Sequence, residues 1–158
     1  MQKRIYLLFT LLFLLVYFSF GQKSKYNRVP STVDTIVKIE MFLNAFGVES
    51  EGFPTIQANL NFKTLRSICK VSYYEPQFKN KRYSLTQKEM ISILSILEKY
   101  DLKQLKKEYT TQITDEPTST IIIYTINGKF QIKDHGLTGE YPLGELYKTV
   151  YKLNQNIR

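Results

Sequence analysis

Apolar and polar residues alternate over the first patterned part of the chain, and this two-residue period is typical of half-buried β-strands. Three stretches show it: Thr32–Asn44, Thr55–Phe62 and Arg66–Tyr74. The residues expected to face the core in the first stretch are Val37, Ile39, Met41 and Leu43. A short fourth strand is predicted over Arg82–Leu85.

The period then changes to that of a helix. Thr86 is followed three residues later by Glu89, a capping box in which each residue caps the backbone N–H of the other. Apolar residues recur at three and four positions after it, at Met90, Ile93, Leu94 and Leu97. This stripe predicts an amphipathic helix, with a break near Asp101 and a second short turn beyond it.

A hairpin and a last helix are predicted in the second half of the chain. Ser119–Ile126 is nearly all β-branched or aromatic, which favours a strand. Asn127-Gly128 suits a two-residue hairpin turn, and Lys129–Asp134 is the return strand. Pro142 fits the first position of a helix. The apolar positions of that helix are Leu143, Leu146, Tyr147, Val150 and Tyr151.

These elements predict an α+β fold in one domain over residues 32–158. Strands joined by short turns favour antiparallel pairing, and amphipathic helices need a sheet face to cover. We expect a single antiparallel β-sheet of five or six strands with two amphipathic helices packed on one face. The predicted element order is three or four strands, a helix, a hairpin and a helix.

The N-terminus has the pattern of an export signal. Lys3 and Arg4 precede an uncharged run, LLFTLLFLLVYFSF, that ends in small residues. This arrangement predicts a secretory signal peptide over residues 1–21 with cleavage between Gly21 and Gln22. The alternative is an uncleaved anchor, but a spanning helix needs about 20 apolar residues. Residues 22–31 are expected to form a polar, basic tether, and the protein to reach the periplasm or the extracellular space.

Composition and charge limit the partners, metal sites and cofactors that we expect for this chain. The chain has 158 residues and a formal charge of +8. Removing residues 1–21 takes away two of the 22 basic side chains and none of the 14 acids, which leaves +6 over 137 residues. We expect no nucleic-acid partner, because export separates the protein from nucleic acid, and membrane contact only transiently through the signal peptide. With one His and one Cys, a zinc site built only from these residue types is excluded, and no cofactor is expected.

Cys69 is the single thiol. The strand period places it beside Val71 and Tyr73, so we expect a buried, inert side chain. The alternative is a disulfide between two chains.

Three quoted stretches carry a resemblance to a known family. They are YSLTQKEMISILSILEKYDLKQLKKEY, ITDEPTSTIIIYTINGKFQIKDHG and YPLGELYKTVYKL. They resemble a secreted bacterial family known as domain of unknown function 6438, whose members show a capped helix, an N-G hairpin and a Pro-led last helix. The similarity is strongest over residues 83–153, and the N-terminal half departs from the family because FGVESEGFP contains no Cys. The resemblance implies the fold and an exported location, and it implies no catalytic residue.

One set of residues could support hydrolysis. His135 is the single imidazole, and a small envelope hydrolase would use it as a base with Asp115 and Glu140. Neighbouring strand residues point to opposite faces, so Asp134 is not expected to orient His135. The other interpretation is structural, with His135 closing the hairpin and Asp115 bonding backbone N–H groups of its loop.

Two surfaces could instead bind a partner. The loop of residues 44–54 is long for a strand connection; its candidate binding residues are Phe46, Glu49, Glu51 and Phe53. The alternative is a packed loop whose Phe rings fold onto the sheet. The second surface is basic and contains Lys79, Lys81 and Arg82. We therefore expect a non-enzymatic module that binds a protein or an envelope component; a structural subunit of an envelope assembly is a further possibility.

Overall fold

The structure of the chain is a computed structural model, and it describes residues 35–45 and 52–158. The predicted signal peptide and tether lie outside these residues. The strands in the described ranges are β1 (Ile36–Asn44), β2 (Thr55–Asn61), β3 (Arg66–Ser72), β4 (Lys81–Tyr83), β5 (Glu108–Tyr109), β6 (Thr118–Thr125) and β7 (Lys129–His135). The helical elements are α1 (Gln87–Glu98), a 3-10 turn (Leu102–Gln104), α2 (Leu143–Leu146), a π turn (Tyr147–Tyr151) and α3 (Leu153–Asn156). Within the described ranges, no helix is long and apolar enough to span a bilayer.

The strands form one mixed sheet in the order β4-β3-β2-β1-β6-β7-β5. All neighbours are antiparallel except β5 and β7, which run parallel, with Glu108 opposite Lys133. The α+β class is confirmed, but the prediction of five or six strands, all antiparallel, is wrong. A two-residue strand such as β5 is too short to show a period in the sequence, so the pattern of apolar residues does not predict it.

One face of the sheet carries the core. Alternate residues of β1, β2, β3, β6 and β7 are buried there, together with the apolar stripe of α1 and the C-terminal helical segment, residues 143–156. The fully buried side chains include Ile39, Leu43, Ile56, Leu60, Met90, Ile93, Leu97, Ile121, Ile123 and Tyr151. The two-residue period therefore predicts the buried face of the sheet correctly.

The start of β1 departs from the expected alternation. Ile36 is buried, whereas Val37 is only partly buried. The register between β1 and β6 shifts between Ile36 and Lys38, and a β-bulge of this kind inserts one residue that has no partner on the neighbouring strand. The predicted inward position of Val37 is therefore wrong, while Ile39 and the later positions are right.

The predicted capping box is present at the start of α1. The Thr86 backbone N–H donates to the Glu89 carboxylate at 2.7 Å, and the Glu89 N–H donates to Thr86 Oγ1 at 3.2 Å. The predicted break near Asp101 is also present, because the Asp101 carboxylate accepts from the Lys103 N–H and caps the 3-10 turn.

The last helix is not continuous. After α2 the backbone widens into the π turn, and Lys152 then adopts a left-handed conformation with φ of 47° before α3 begins. The π turn stacks the rings of Tyr147 and Tyr151 in parallel, with centroids 5.7 Å apart. The apolar spacing predicts the buried residues of this segment, but the local pattern does not distinguish an α-helix from a π turn.

Candidate functional site

The sheet face opposite the helices carries exposed or partly exposed side chains. Its residues alternate with the core positions, and we call them the open face. They are Lys38, Glu40, Phe42, Asn44, Thr55, Gln57, Asn59, Asn61, Arg66, Ile68, Lys70, Ser72, Arg82, Glu108, Thr118, Thr120, Ile122, Tyr124, Lys129, Gln131, Lys133 and His135. An antiparallel sheet can leave one face in solvent, so an open face is not in itself a binding site.

A groove of about 670 Å³ crosses the middle of the open face. It runs over β3, β2, β1 and β6, where the twist of neighbouring strands makes the surface concave. Its side chains from the open face are Glu40, Phe42, Gln57, Asn59, Asn61, Arg66, Ile68, Lys70, Thr120 and Ile122. We call this concavity the open-face groove.

Strand register orders the groove residues into rows. One row reads Lys70, Gln57, Phe42, Thr120, Lys133 from β3 to β7. The next row reads Ile68, Asn59, Glu40, Ile122, Gln131. Neighbouring strands lie about 4.8 Å apart, so the side chains of one row are close neighbours. The first row has amide and apolar groups in the middle and a cation at each end.

The groove exposes apolar surface. Phe42 is 37% exposed and Ile68 is 57% exposed, although each is surrounded by residues of a regular sheet. Single exposed apolar residues are common on protein surfaces, but these two lie in one concavity together with Ile122. A ligand that covers the groove would remove this apolar surface from water.

The open face is strongly basic. It carries six cations, namely Lys38, Arg66, Lys70, Arg82, Lys129 and Lys133, and two acids, Glu40 and Glu108, the second of which is the cross-strand partner of Lys133 at the β5 edge. Glu40 is neutralised within the face, because the Lys38 ammonium lies 2.6 Å from it and the Tyr124 hydroxyl donates to it at 2.7 Å. The hydrogen bond from Lys38, followed by that from Tyr124, holds the pKa of Glu40 below its usual value. Across residues 35–45 and 52–158, the other five cations form no ion pair.

The predicted basic segment is divided between two surfaces. Arg82 lies on the open face, directly opposite Lys70, and Lys79 is exposed just before β4. Lys81 is partly buried, and its ammonium donates to the backbone carbonyl of Gln155 at 3.2 Å. Desolvation, followed by the charge of Arg158, lowers the pKa of Lys81. Of the three predicted binding residues in this segment, only Arg82 belongs to the open face.

The predicted binding loop is described only at its end. Phe46, Glu49 and Glu51 lie outside the described residues. Phe53 is partly buried and packs against the core, and the neighbouring Gly52 accepts the Arg158 backbone N–H at 3.1 Å. At Phe53, the structure therefore agrees with a packed loop.

The hydrolase residues are not assembled into a catalytic group. His135 Nε2 lies 2.8 Å from the carbonyl of Ile113, so it carries the hydrogen, and Nδ1 accepts from the Thr118 hydroxyl at 3.0 Å. The ring therefore holds the start of β6, through Thr118, and the loop before it, through Ile113, against the end of β7. Asp115 and Glu140 are exposed, and neither carboxylate forms a hydrogen bond or ion pair with another residue in the part of the chain that the structure describes. The predicted backbone hydrogen bonds of Asp115 are thus not found.

The sequence interpretation missed a buried polar network around Asp134. This fully buried carboxylate accepts from the backbone N–H groups of Thr138 and Gly139, at 2.9 and 2.8 Å, and from the Tyr147 hydroxyl at 2.6 Å. The Tyr151 hydroxyl is 2.6 Å from Ser119 Oγ. Burial, followed by the hydrogen bond to Asp134, raises the pKa of Tyr147 well above its usual value. Every acceptor in this network is used internally, which indicates a structural role. The sequence feature that could have indicated this network is the two-residue period of β7, which places Asp134 on the inward face together with Ile132.

Cys69 is buried, as predicted. Its side chain is 0% exposed, and burial raises the pKa of the thiol to about 11. A thiol with this pKa is mostly protonated at neutral pH and is a poor nucleophile. Among the described residues, no group of three or more His, Cys, Asp or Glu side chains is arranged to hold a metal ion.

Comparison with known proteins gives one family. A model of the family described as domain of unknown function (DUF6438) matches residues 58–154, more than half of the chain. The match begins in β2 and ends in α3, so it starts earlier than the similarity seen in the sequence. No curated protein and no solved structure matches the chain.

Proposed function

The chain belongs to the DUF6438 family, and from that premise we propose that it is a non-enzymatic binding module that docks an acidic protein segment on the open face. The observation that carries this proposal is the charge of that face, six cations against two acids, around a groove that exposes Phe42 and Ile68. We further propose that the module acts after export, on a partner in the bacterial envelope.

Charge complementarity specifies the partner. Arg66 and Lys70 line the groove on β3, and Lys133 lies across the sheet on β7. Carboxylates placed along the groove would meet these cations at several points. A single exposed ion pair contributes only about 0.2–1 kcal/mol, so useful affinity requires several such contacts together with burial of apolar surface.

The groove also explains why a protein segment is proposed rather than a simple anion. Phe42, Ile68 and Ile122 offer apolar contacts, and burial of apolar surface stabilises by about 25 cal/mol per Å². The side-chain amides of Gln57 and Asn59 can each donate a hydrogen bond to a peptide backbone and accept one from it. A segment of alternating acidic and apolar residues satisfies both kinds of contact.

A second copy of the chain does not fit this surface. Two open faces brought together would oppose the same excess of positive charge, and like charges across an interface disfavour association. The edges of the sheet are also short, since β4 has three residues and β5 has two, and short edge strands disfavour pairing with another strand.

The hydrolase using Asp115, His135 and Glu140 is not proposed here. His135 already donates to a backbone carbonyl and accepts from Thr118, and no described contact joins it to either carboxylate. A general base needs a free acceptor nitrogen within reach of the substrate. The role of a structural subunit in an envelope assembly stays a prediction.

The proposal is tested with a peptide of alternating Glu and Leu and a matched peptide of alternating Gln and Leu. We expect the full chain to bind the Glu peptide more tightly, with affinity that falls as NaCl is raised. Arg66→Gln and Lys70→Gln should each weaken binding about fivefold, which corresponds to a contact of about 1 kcal/mol. Fluorescence anisotropy measures the affinity.

The matched control is Lys103→Gln, which removes the same charge from the exposed 3-10 turn. It should leave peptide affinity unchanged. Equal binding of the Gln peptide, or equal weakening by Lys103→Gln, would show that the open face has no specific role and would defeat the proposal.

A further inference from the structure

A second pocket lies where β3 meets β4, beside the open-face groove. It has a volume of about 380 Å³ and is lined by Lys70, Val71, Ser72, Asn80, Lys81 and Arg82. We propose that this edge pocket binds a phosphate group with two negative charges, either free phosphate or a phosphate monoester. This site is additional to the peptide groove of the proposed function, with which it shares only Lys70.

Two cations oppose each other across the edge pocket. Lys70 and Arg82 are direct cross-strand partners, which places their Cβ atoms about 5 Å apart. Like charges in this position destabilise a sheet, and no acid lines the pocket. An anion between the two side chains would replace that repulsion by charge-assisted hydrogen bonds.

Three further side chains that line the pocket carry hydrogen-bond donors, namely Ser72, Asn80 and Lys81. The Ser72 hydroxyl belongs to the same strand face as Lys70. The side-chain oxygen of Asn80 accepts the Tyr73 backbone N–H at 3.1 Å, so the amide nitrogen of Asn80 is the part of this group left to donate to a ligand. The Lys81 ammonium is held by the Gln155 carbonyl and contributes long-range charge rather than a direct contact.

The geometry favours phosphate over a carboxylate. Arg82 offers a planar fork of N–H donors, and Lys70 offers a separate ammonium on the neighbouring strand. A carboxylate carries one charge on two oxygens. A phosphate monoester carries about −1.5 to −2 at pH 7 on three acceptor oxygens, so it can engage both cations and the neutral donors at once.

Titration of the ¹⁵N-labelled full chain with inorganic phosphate tests the proposal, with NaCl adjusted to hold ionic strength constant. We expect saturable shifts of the backbone amides of Lys70, Ser72, Asn80 and Arg82. Arg82→Gln should weaken phosphate binding by about tenfold or more. Lys79→Gln removes the same charge from an exposed neighbour that does not line the pocket, and it should leave the affinity unchanged.

Two further ligands separate the possible outcomes. O-phosphoserine that shifts the same amides would assign the site to monoesters, whereas binding of inorganic phosphate alone would assign it to the free ion. The proposal is overturned if no amide shifts saturably, if acetate produces the same shifts with the same affinity, or if Lys79→Gln weakens binding as much as Arg82→Gln. Lys70 is common to both sites, but Arg66 lines only the groove and Arg82 only the edge pocket. Arg66→Gln therefore tests the peptide proposal alone and Arg82→Gln the phosphate proposal alone, so failure of either leaves the other standing.

Discussion

Asp134 illustrates how one buried carboxylate can organise the end of a hairpin. It lies at the penultimate position of β7, and its two oxygens accept from backbone and hydroxyl donors of residues 138–147. A buried carboxylate is tolerated only when donors replace its lost water. A Cβ atom added at Gly139 would lie 2.7 Å from Asp134 Oδ2, so any larger residue at this position would displace the carboxylate.

Asp134→Asn should destabilise the chain. The groups around this side chain are all hydrogen-bond donors. The NH2 of an asparagine would face these donors, so at least one buried N–H group would have no acceptor. We expect a loss of about 2–4 kcal/mol in the free energy of unfolding, measured by urea denaturation.

The control is Asp115→Asn at an exposed position, which should change stability by less than about 0.5 kcal/mol. If the two variants unfold at the same urea concentration, Asp134 does not have the structural role described here.

At the level of elements, the C-terminal helical segment is tied to α1 by one side chain. Glu89 caps the start of α1 and also accepts from the Lys152 ammonium at 2.6 Å. Lys152 reaches it from a left-handed backbone position, with φ of 47°, and it lies over the ring of Tyr83 at 5.7 Å. A single carboxylate thus joins the helix cap to the break between the π turn and α3.

This contact predicts a pH dependence of stability. Burial of Glu89 opposes ionisation, but the hydrogen bonds from Lys152 and Thr86 outweigh it, and the pKa of Glu89 lies below its usual value. The Glu89 carboxylate therefore binds a proton more readily in the unfolded chain than in the folded one. Its contribution to the free energy of unfolding is complete above the unfolded pKa of about 4.3, and it is lost as pH falls through the lower folded pKa.

Glu89→Gln removes that contribution at pH 7 and should lower the free energy of unfolding by about 1 kcal/mol. The difference between wild type and Glu89→Gln should shrink as pH falls from 5 to 3, as followed by urea denaturation. Glu98→Gln at an exposed position of the same helix serves as the control. A wild-type advantage over Glu89→Gln that is constant with pH would contradict this account.

The molecule as a whole has two different sheet faces. Helices cover one face around a continuous core, and the other carries the basic open face. The edge strands β4 and β5 have only three and two residues, and edge strands this short disfavour pairing with a strand of another chain. The surface that we propose for recognition is built from side chains, and we propose that its charge selects the partner.

Export of the whole protein is a prediction, and if it occurs it limits the partners of the open face to those outside the cytoplasm. We expect the protein recovered from the bacterial envelope to begin at Gln22, because the basic start, apolar run and small residues before it match a signal peptide. N-terminal sequencing of the recovered protein checks this. An intact Met1 end would contradict cleavage and would favour the retained anchor.

Much of the fold was predictable because it depends on local periods. Alternation in β1, β2 and β3 identified the buried face, and the Thr86–Glu89 spacing identified the start of α1. The hairpin was also predicted, but its turn lies one residue earlier than Asn127-Gly128, because Thr125 pairs with Gly128 across it. The candidate site was less predictable. Arg82 was singled out as a binding residue, but Arg66, Lys70 and Phe42 were not, since strand order is needed to bring them together.

The sequence by itself determined most of the buried residues in the long strands and in α1, where α1 begins and that Cys69 is inaccessible, because these follow from neighbours a few residues away. Only the tertiary structure decided that β5 joins the sheet in parallel, that Tyr147 bonds Asp134 and that Lys70 faces Arg82. These contacts join residues distant in the chain, and their geometry depends on strand order and register, which the local pattern of polar and apolar residues does not specify.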